Sequence, residues 1–247
     1  CSFAHPHDDA INIHASFLRF KNKVDDCTAV FEFVHRQQGG YRAFNNGDKV
    51  VFYYRTSLQS LGGEYTVDSA VDDIVNKTVK FTEKLPSEIE NRYKNQSNVV
   101  AENITYSPSV EISNCRFNAI PTRGILVTAR GKIRIHDNEF TNVAMANVFI
   151  SNDANDWYES GPVRDVEIYN NKFIVTENNL PKFIDCSAIL VQPITFGGKV
   201  TAPVHKNIYI HSNYFDVRRD RVITAHGVEN LRTEDNEYKN ISTVKIN

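Results

Sequence analysis

The sequence predicts an all-β chain wound largely as a right-handed parallel β-helix, with a small antiparallel β-barrel module inserted near its start. Three observations carry that expectation. A strand–Asn–aromatic pattern returns five times, the composition favours rigid β-forming side chains, and one stretch breaks the period with turn signals of its own. The 247 residues include 15 Phe and 11 Tyr but one Met, which argues against a helical bundle.

The repeat is apolar-x-apolar-x-polar-Asn-x-aromatic. It runs from Val110 to Phe117, Ile133 to Phe140, Val166 to Phe173, Ile208 to Phe215 and Leu231 to Tyr238. A period-2 strand, an Asn at a bend and an aromatic entering the next strand make one coil of a pectin-lyase-like helix. Coils stack at about one strand spacing, ~4.8 Å. Asn amides can then form a ladder while the rings stack in the core. The expected ladder is Asn114, Asn138, Asn171, Asn213 and Asn236. Aromatic spacings of 23, 33, 42 and 23 residues set the plain coil at 23 and place insertions within 141–165 and 174–207. Loops leaving a rigid scaffold are where binding groups gather.

The expected organisation is a coil at 1–19, the inserted module at 20–97 and coils again over 98–247. Phe3 is in phase with Phe117, so the chain is expected to start inside a coil. In the module, Cys27–His35 and Lys49–Arg55 alternate like strands. The turn formers Gln37-Gln38-Gly39-Gly40 and Asn45-Asn46-Gly47-Asp48 between them predict a hairpin. A short helix is expected near Ser87–Tyr93.

Composition narrows the function classes. With 28 Lys+Arg against 30 Asp+Glu, a net charge of −2 gives no pull towards nucleic acid or an anionic membrane. No apolar run approaches the ~18 residues of a spanning helix. Cys1, Cys27, Cys115 and Cys186 lack metal-like spacing and read as buried thiols, with a disulfide left open. Sequons at Asn76, Asn95, Asn103 and Asn240 do not fix a compartment. A secreted, periplasmic or cell-surface location is expected. A chain beginning Cys1-Ser2-Phe3 reads as a processed product or a fragment.

The densest polar cluster is His5-Pro6-His7-Asp8-Asp9, leading into Ala10-Ile11-Asn12-Ile13-His14. One reading is a metal site, and the cluster resembles the His-Pro-Asp-Asp motif of zinc-dependent de-N-acetylases. Ala10 stands where that family has an acid, and the surroundings are β-helical. A second reading is a polar coil turn shaped by two Asp. The third is carbohydrate chemistry, because acetal hydrolysis needs one carboxylic acid for the leaving oxygen and one carboxylate to activate water. Asp8 and Asp9 could face one substrate only at a bend, which Pro6 favours. Trp157-Tyr158-Glu159 holds the one Trp of the chain, in a loop. Its ring could stack on a sugar while Glu159 and Asp153 accept hydroxyl hydrogen bonds. The alternative has Trp157 packing the loop onto the coils. His35-Arg36-Gln37-Gln38 could reach over the same groove.

These residues carry a resemblance. Asp8-Asp9-Ala10-Ile11-Asn12-Ile13-His14 with Phe17-Leu18 resembles the catalytic segment of the family 110 glycoside hydrolases, the α-1,3-galactosidases whose substrates include blood-group B antigens. Phe33 to Tyr41 with Gly47-Asp48 is similar to the start of that family's inserted barrel. Pro108 to Phe117, Arg123 to Val127 and, most specifically, Asp153 to Val163 resemble its later coils. The resemblance implies an inverting exo-α-galactosidase working without metal or cofactor on an α-galactoside glycan. It implies Asp8 and Asp9 as the general base. Asn12, His14, Arg123 and Asp153, by proximity of coils, and Trp157 and Glu159 on the loop are expected to position the sugar. The family's general acid lies about one coil earlier, so N-terminal coils of the same protein are the expected partner. Ala15 stands where a Gly is common, and His5-Pro6-His7 is unusual before the Asp pair. A silent carbohydrate-binding β-helix and a polysaccharide lyase are the rival readings.

Overall fold

The computed structural model describes residues 1–176, 187–217 and 222–239. The chain is all-β, and each circuit of the repeat adds one strand to each of three parallel sheets. Sheet 1 stacks Ser2–Ala4, Arg116–Asn118, Glu139–Thr141, Lys172–Ile174, Tyr214–Asp216 and Glu237–Tyr238. Sheet 2 joins the first part of Ile11–Lys23 to Ile125–Thr128, Val148–Ile150, Ile189–Val191 and Ile223–Ala225. Sheet 3 stacks Val110–Ser113, Lys132–His136, Asp165–Tyr169, His205–His211 and Val228–Glu234.

The period-2 pattern turns one side chain in two inward. Ile125, Val127, Ile133, Ile135 and their counterparts in later circuits fill a common core. In sheet 1 the register aligns Phe3, Phe117, Phe140, Phe173, Phe215 and Tyr238. Their rings stack at 4.5 to 5.3 Å between centroids, within 19° of parallel.

The corner from sheet 3 to sheet 1 is always two residues. Asn114, Asp137, Asn170, Ser212 and Asp235 occupy its first position with φ between 50° and 54°. This left-handed region is tolerated best by short polar side chains that bond locally. The second position holds the ladder. Asn138 Nδ2 donates to Asn171 Oδ1 (3.0 Å), Asn171 Nδ2 to Asn213 Oδ1 (3.0 Å) and Asn213 Nδ2 to Asn236 Oδ1 (3.0 Å). Asn114 is not in the row, contrary to the sequence expectation. It takes the left-handed position, and Cys115 fills the ladder slot, its N–H donating to Asn138 Oδ1 at 2.9 Å. Cys1 is exposed, Cys27 half-buried and Cys115 buried, all as free thiols; Cys186 and Asn240 lie outside the described residues.

Asn171→Ala removes the acceptor of both the N–H and the amide of buried Asn138. Each orphaned donor costs about 1–3 kcal/mol. We expect a stability loss of about 2–4 kcal/mol, read as a lower urea midpoint with an unchanged slope.

The long strand Ile11–Lys23 leaves sheet 2 and enters a closed six-stranded antiparallel barrel. The ring order is Ile11–Lys23, Thr28–Glu32, Asn76–Phe81, Ser60–Asp72, Lys49–Tyr54 and Val99–Asn103, which pairs back onto Phe17–Arg19. Phe20, Phe31, Phe44, Phe52 and Phe81 fill its interior. The hairpin expected between Cys27–His35 and Lys49–Arg55 does not form. Thr28–Glu32 pairs with Asn76–Phe81 instead, and residues 33–48 cross the barrel end. Turn residues mark where the chain bends, not which strands then pair. The barrel also reaches past residue 97, since Val99–Asn103 closes it. A 3-10 turn, Ser87–Glu90, stands where a short helix was expected.

The barrel and the loops 151–164 and 192–204 all leave from one corner, between sheets 2 and 3. Phe17, Val51, Tyr53, Val100, Tyr158 and Val204 form an apolar cluster that seats barrel and loops together.

Candidate active site

Asp8 and Asp9 precede the first strand of sheet 2, beside Thr122 and Arg123 of the next circuit. The neighbouring backbones are tied by Ala10 N–H to Arg123 O (3.3 Å) and Ile11 N–H to Gly124 O (3.1 Å). This closeness distinguishes the two carboxylates. Asp9 accepts from Arg123 three times, from its backbone N–H at 3.0 Å and from Nε at 2.9 and 3.1 Å. Its side chain is only 8% exposed. Asp8 is exposed, and its Oδ1 accepts from the N–H of Asp9 at 2.9 Å and from Thr122 Oγ1 at 3.5 Å. Arg123, expected to position the sugar, is instead the counter-charge of Asp9. One carboxylate is fixed and neutralised; the other is open to water.

Further along the strand, Asn12 and His14 face outward while Ile11 and Ile13 pack against the core. Asn12 Nδ2 donates to Glu159 Oε1 at 2.9 Å. Glu159 is held there because Glu159–Ser160 pairs antiparallel with Ala15 and Ser16. Asn12 and Glu159 are therefore brought together. His14 is exposed, and its Nδ1 lies 3.1 Å from Ala15 O. In register with Asn12, the outward positions of the next strands are Leu126, Phe149 and Leu190, so the face becomes apolar away from the polar strand.

Asp153 serves the loop rather than a ligand. It is 5% exposed, and its carboxylate accepts the backbone N–H groups of Asn155 (2.6 Å), Asp156 (2.9 Å) and Trp157 (3.3 Å). Tyr158, fully buried, has φ of 55°, unusual for a bulky residue. Its surroundings hold it there. Its carbonyl accepts from Phe17 N–H (2.7 Å) and Gln38 Nε2 (2.8 Å), and the Arg55 guanidinium lies 5.3 Å from its ring. Gly161 follows with φ of 121°, where a Cβ would come within 2.4 Å of Thr128 O. This twisted stretch leaves Trp157 46% exposed, its ring 4.4 Å from that of His35. Trp157 is thus not a plug beneath the loop.

Thr122 and Arg55 escaped the sequence reading. Gln38 lay within a flagged motif. Arg55, almost fully buried, donates to Ala154 O (2.9 Å) and Ser97 O (2.8 Å), but as a lone Arg after a strand it gave no signal. Behind the loop, His205 is completely buried and accepts the Val163 N–H on Nδ1 at 3.1 Å. Burial and the nearby Arg164 charge pull its pKa down to about 3. A neutral folded His that protonates when unfolded adds stability above the unfolded pKa of 6.5, lost as pH falls towards 3. We expect His205→Gln to flatten the acid limb of stability against pH by about one proton, ~1.4 kcal/mol per pH unit.

Asp8 is thus open to solvent, Asp9 is paired with Arg123, and Trp157 stands exposed on the loop that brings Glu159 to Asn12. Comparison with known proteins is sharper. No protein-family model matches the chain. Alpha-1,3-galactosidase A of Streptomyces avermitilis is 36% identical over 92% of this chain and 36% of its own length. Alpha-1,3-galactosidase A of Bacteroides thetaiotaomicron is 32% identical over 98% and 41%, and alpha-1,3-galactosidase B of Phocaeicola vulgatus 26% identical over 93% and 39%. The chain thus spans about two fifths of the length of these curated relatives. Among solved structures, the tailspike protein gp49 from Pseudomonas phage LKA1 covers 95% of this chain and 40% of its own, with a TM-score of 0.36 and 15% identity, too distant a likeness to bear on function. Over most of its own length the chain is thus similar to alpha-1,3-galactosidases, consistent with glycoside hydrolase family 110.

Proposed function

We propose that this chain carries part of the active site of an inverting exo-α-1,3-galactosidase, wound as a right-handed parallel β-helix. Blood-group B glycans and linear α-1,3-galactosides are the substrates this reading favours. The observation that carries it is the pairing of exposed Asp8 with Arg123-bound Asp9, just before the strand on which Asn12 contacts Glu159. In an inverting step, Asp8 takes a proton from water as that oxygen bonds to the anomeric carbon. The glycosidic bond breaks and a carboxylic acid on the far side protonates the leaving oxygen. The ion pair with Arg123 fixes the turn that aims Asp8. Asn12 and Glu159 are placed to exchange hydrogen bonds with ring hydroxyls, and His14 extends the same face.

The general acid should sit about 6.5–9.5 Å from the base. The edges of Ser2–Ala4, Ile11–His14 and Val110–Ser113 opposite their stacked neighbours have no strand partner among the described residues. That supports a preceding turn of the same protein stacked on these edges and supplying the acid. A secreted or cell-surface setting accompanies the reading.

The test is galactose release from α-1,3-, α-1,4- and α-1,6-linked galactosides, with the anomer followed by NMR. The α-1,3 linkage and initial β-galactose are expected; initial α-galactose would overturn inversion. Trp157→Ala should weaken sugar binding roughly tenfold through loss of the stacking face. Circular dichroism should be unchanged, because Trp157 is half exposed.

A further inference from the structure

A cleft lies between the barrel and the stack corner, and none of its lining residues belongs to the site above. It has a volume of about 550 Å³, within the usual range for ligand sites. One wall is the barrel segment Leu58–Glu64; the other is the stack corner with Arg130, Arg164, Ala202 to Val204 and Lys206. The walls are tied by Gln59 Nε2, which donates to Ala202 O (3.3 Å) and Pro203 O (3.4 Å).

Charge at the cleft is unevenly matched. Arg130 is paired with buried Glu102 at 2.9 Å and also donates to the Tyr53 hydroxyl. Lys206 is paired with Glu229 at 2.5 Å. Arg164 is different. Its Nη1 donates to the carbonyls of Val163 (3.3 Å) and Val204 (2.7 Å), and it has no ion pair among the described residues. Nε and Nη2 have no protein acceptor there. A half-buried guanidinium with no carboxylate in contact is costly, and burial lowers its pKa, although the more distant charges of Glu102 and Glu229 act the other way. The planar fork suits an oxyanion, which it can grip bidentately. Glu64, Ser60 and Gln59 on the facing barrel wall offer hydrogen bonds to neutral hydroxyls.

We propose that this cleft is a second glycan-binding site that takes an anionic sugar residue, its sulfate or carboxylate on Arg164 and its hydroxyls on the barrel wall. The sugar part of the proposal rests on the glycan-processing reading; the anion part does not. A site of this kind would hold an acidic part of a glycan away from the position where galactose is cleaved.

The test is calorimetric titration of the chain with a sulfated galacto-oligosaccharide, a galacturonic acid oligomer, a neutral galacto-oligosaccharide and inorganic sulfate. One of the two anionic sugars should bind at least tenfold more tightly than the neutral one, and which one identifies the anion. Added salt should weaken it. Arg164→Ala should cost at least tenfold. Inorganic sulfate binding as tightly as either sugar would leave an anion site without a glycan role and overturn the proposal. Equal binding of neutral and anionic sugars, or undiminished binding in a folded Arg164→Ala, would also overturn it. Should Arg164→Ala lower the melting temperature, Lys206→Gln keeps the test open: it should weaken the anionic sugar alone, and no change there counts against the site.

Discussion

Asp8→Asn is expected to lower kcat for galactose release about 10³-fold, in the middle of the range that a positioned general base contributes. The substitution keeps the side chain's size and its acceptance of the Asp9 N–H, so KM and melting temperature should change little. Only the ability to take a proton from water is lost. Asp9→Asn should behave differently, because Asp9 is neutralised by Arg123 rather than open to water. Removing its charge leaves Arg123 without a partner and loosens the turn, so stability falls along with activity. Rates and melting curves of the two variants, measured in a chain that releases galactose, separate the roles. An Asp8→Asn variant with full kcat would remove Asp8 as base and turn attention to Asp9 or Glu159.

Phe140→Ala is expected to cost about 3–5 kcal/mol, the usual range for deleting a buried aromatic. Phe140 is fully buried between Phe117 (4.5 Å) and Phe173 (5.0 Å). Its ring also lies against Gly124, where a Cβ would approach it to 3.0 Å. Gly124 adjoins Arg123, so the cavity opens next to the counter-charge of Asp9. A loss of that size is a large share of the total stability of an ordinary domain. The urea midpoint reads it directly. Hydrogen exchange should rise most in the circuits flanking the gap, since each repeat contacts only its neighbours.

What the sequence disclosed was what repeats. The ladder of Asn138, Asn171, Asn213 and Asn236 and the Phe row were legible because periodicity alone specifies them. Asn114 was misplaced because both corner positions accept polar residues, and Cys115 broke the pattern at the slot that mattered. The inserted module was visible as a loss of period, but its strand order was not, since a closed barrel pairs segments far apart in sequence. The candidate site was legible as a set of residues and not as a set of contacts. Asp153 looked like a free carboxylate until the loop's N–H groups closed on it. Arg123 looked like a sugar ligand because its partner, Asp9, comes from another circuit, separated by 114 residues.

The two-residue corner between sheets 3 and 1 repeats five times without variation, whereas the corner between sheets 2 and 3 holds a barrel, two long loops and two short links. The first acts as a metronome: one residue added there would invert the pleat of the next strand and set Asn and Phe out of step with the circuits on either side. The second behaves as a seam, where length can change without disturbing the beat. The loop that brings Glu159 to Asn12 and the cleft beside Arg164 both belong to that seam, whereas Asp8 and Asp9 stand at the corner between sheets 1 and 2. New specificity can therefore arise by lengthening one margin of the molecule while its pitch stays fixed, and engineered insertions should be tolerated within 192–204 and rejected at 137–138.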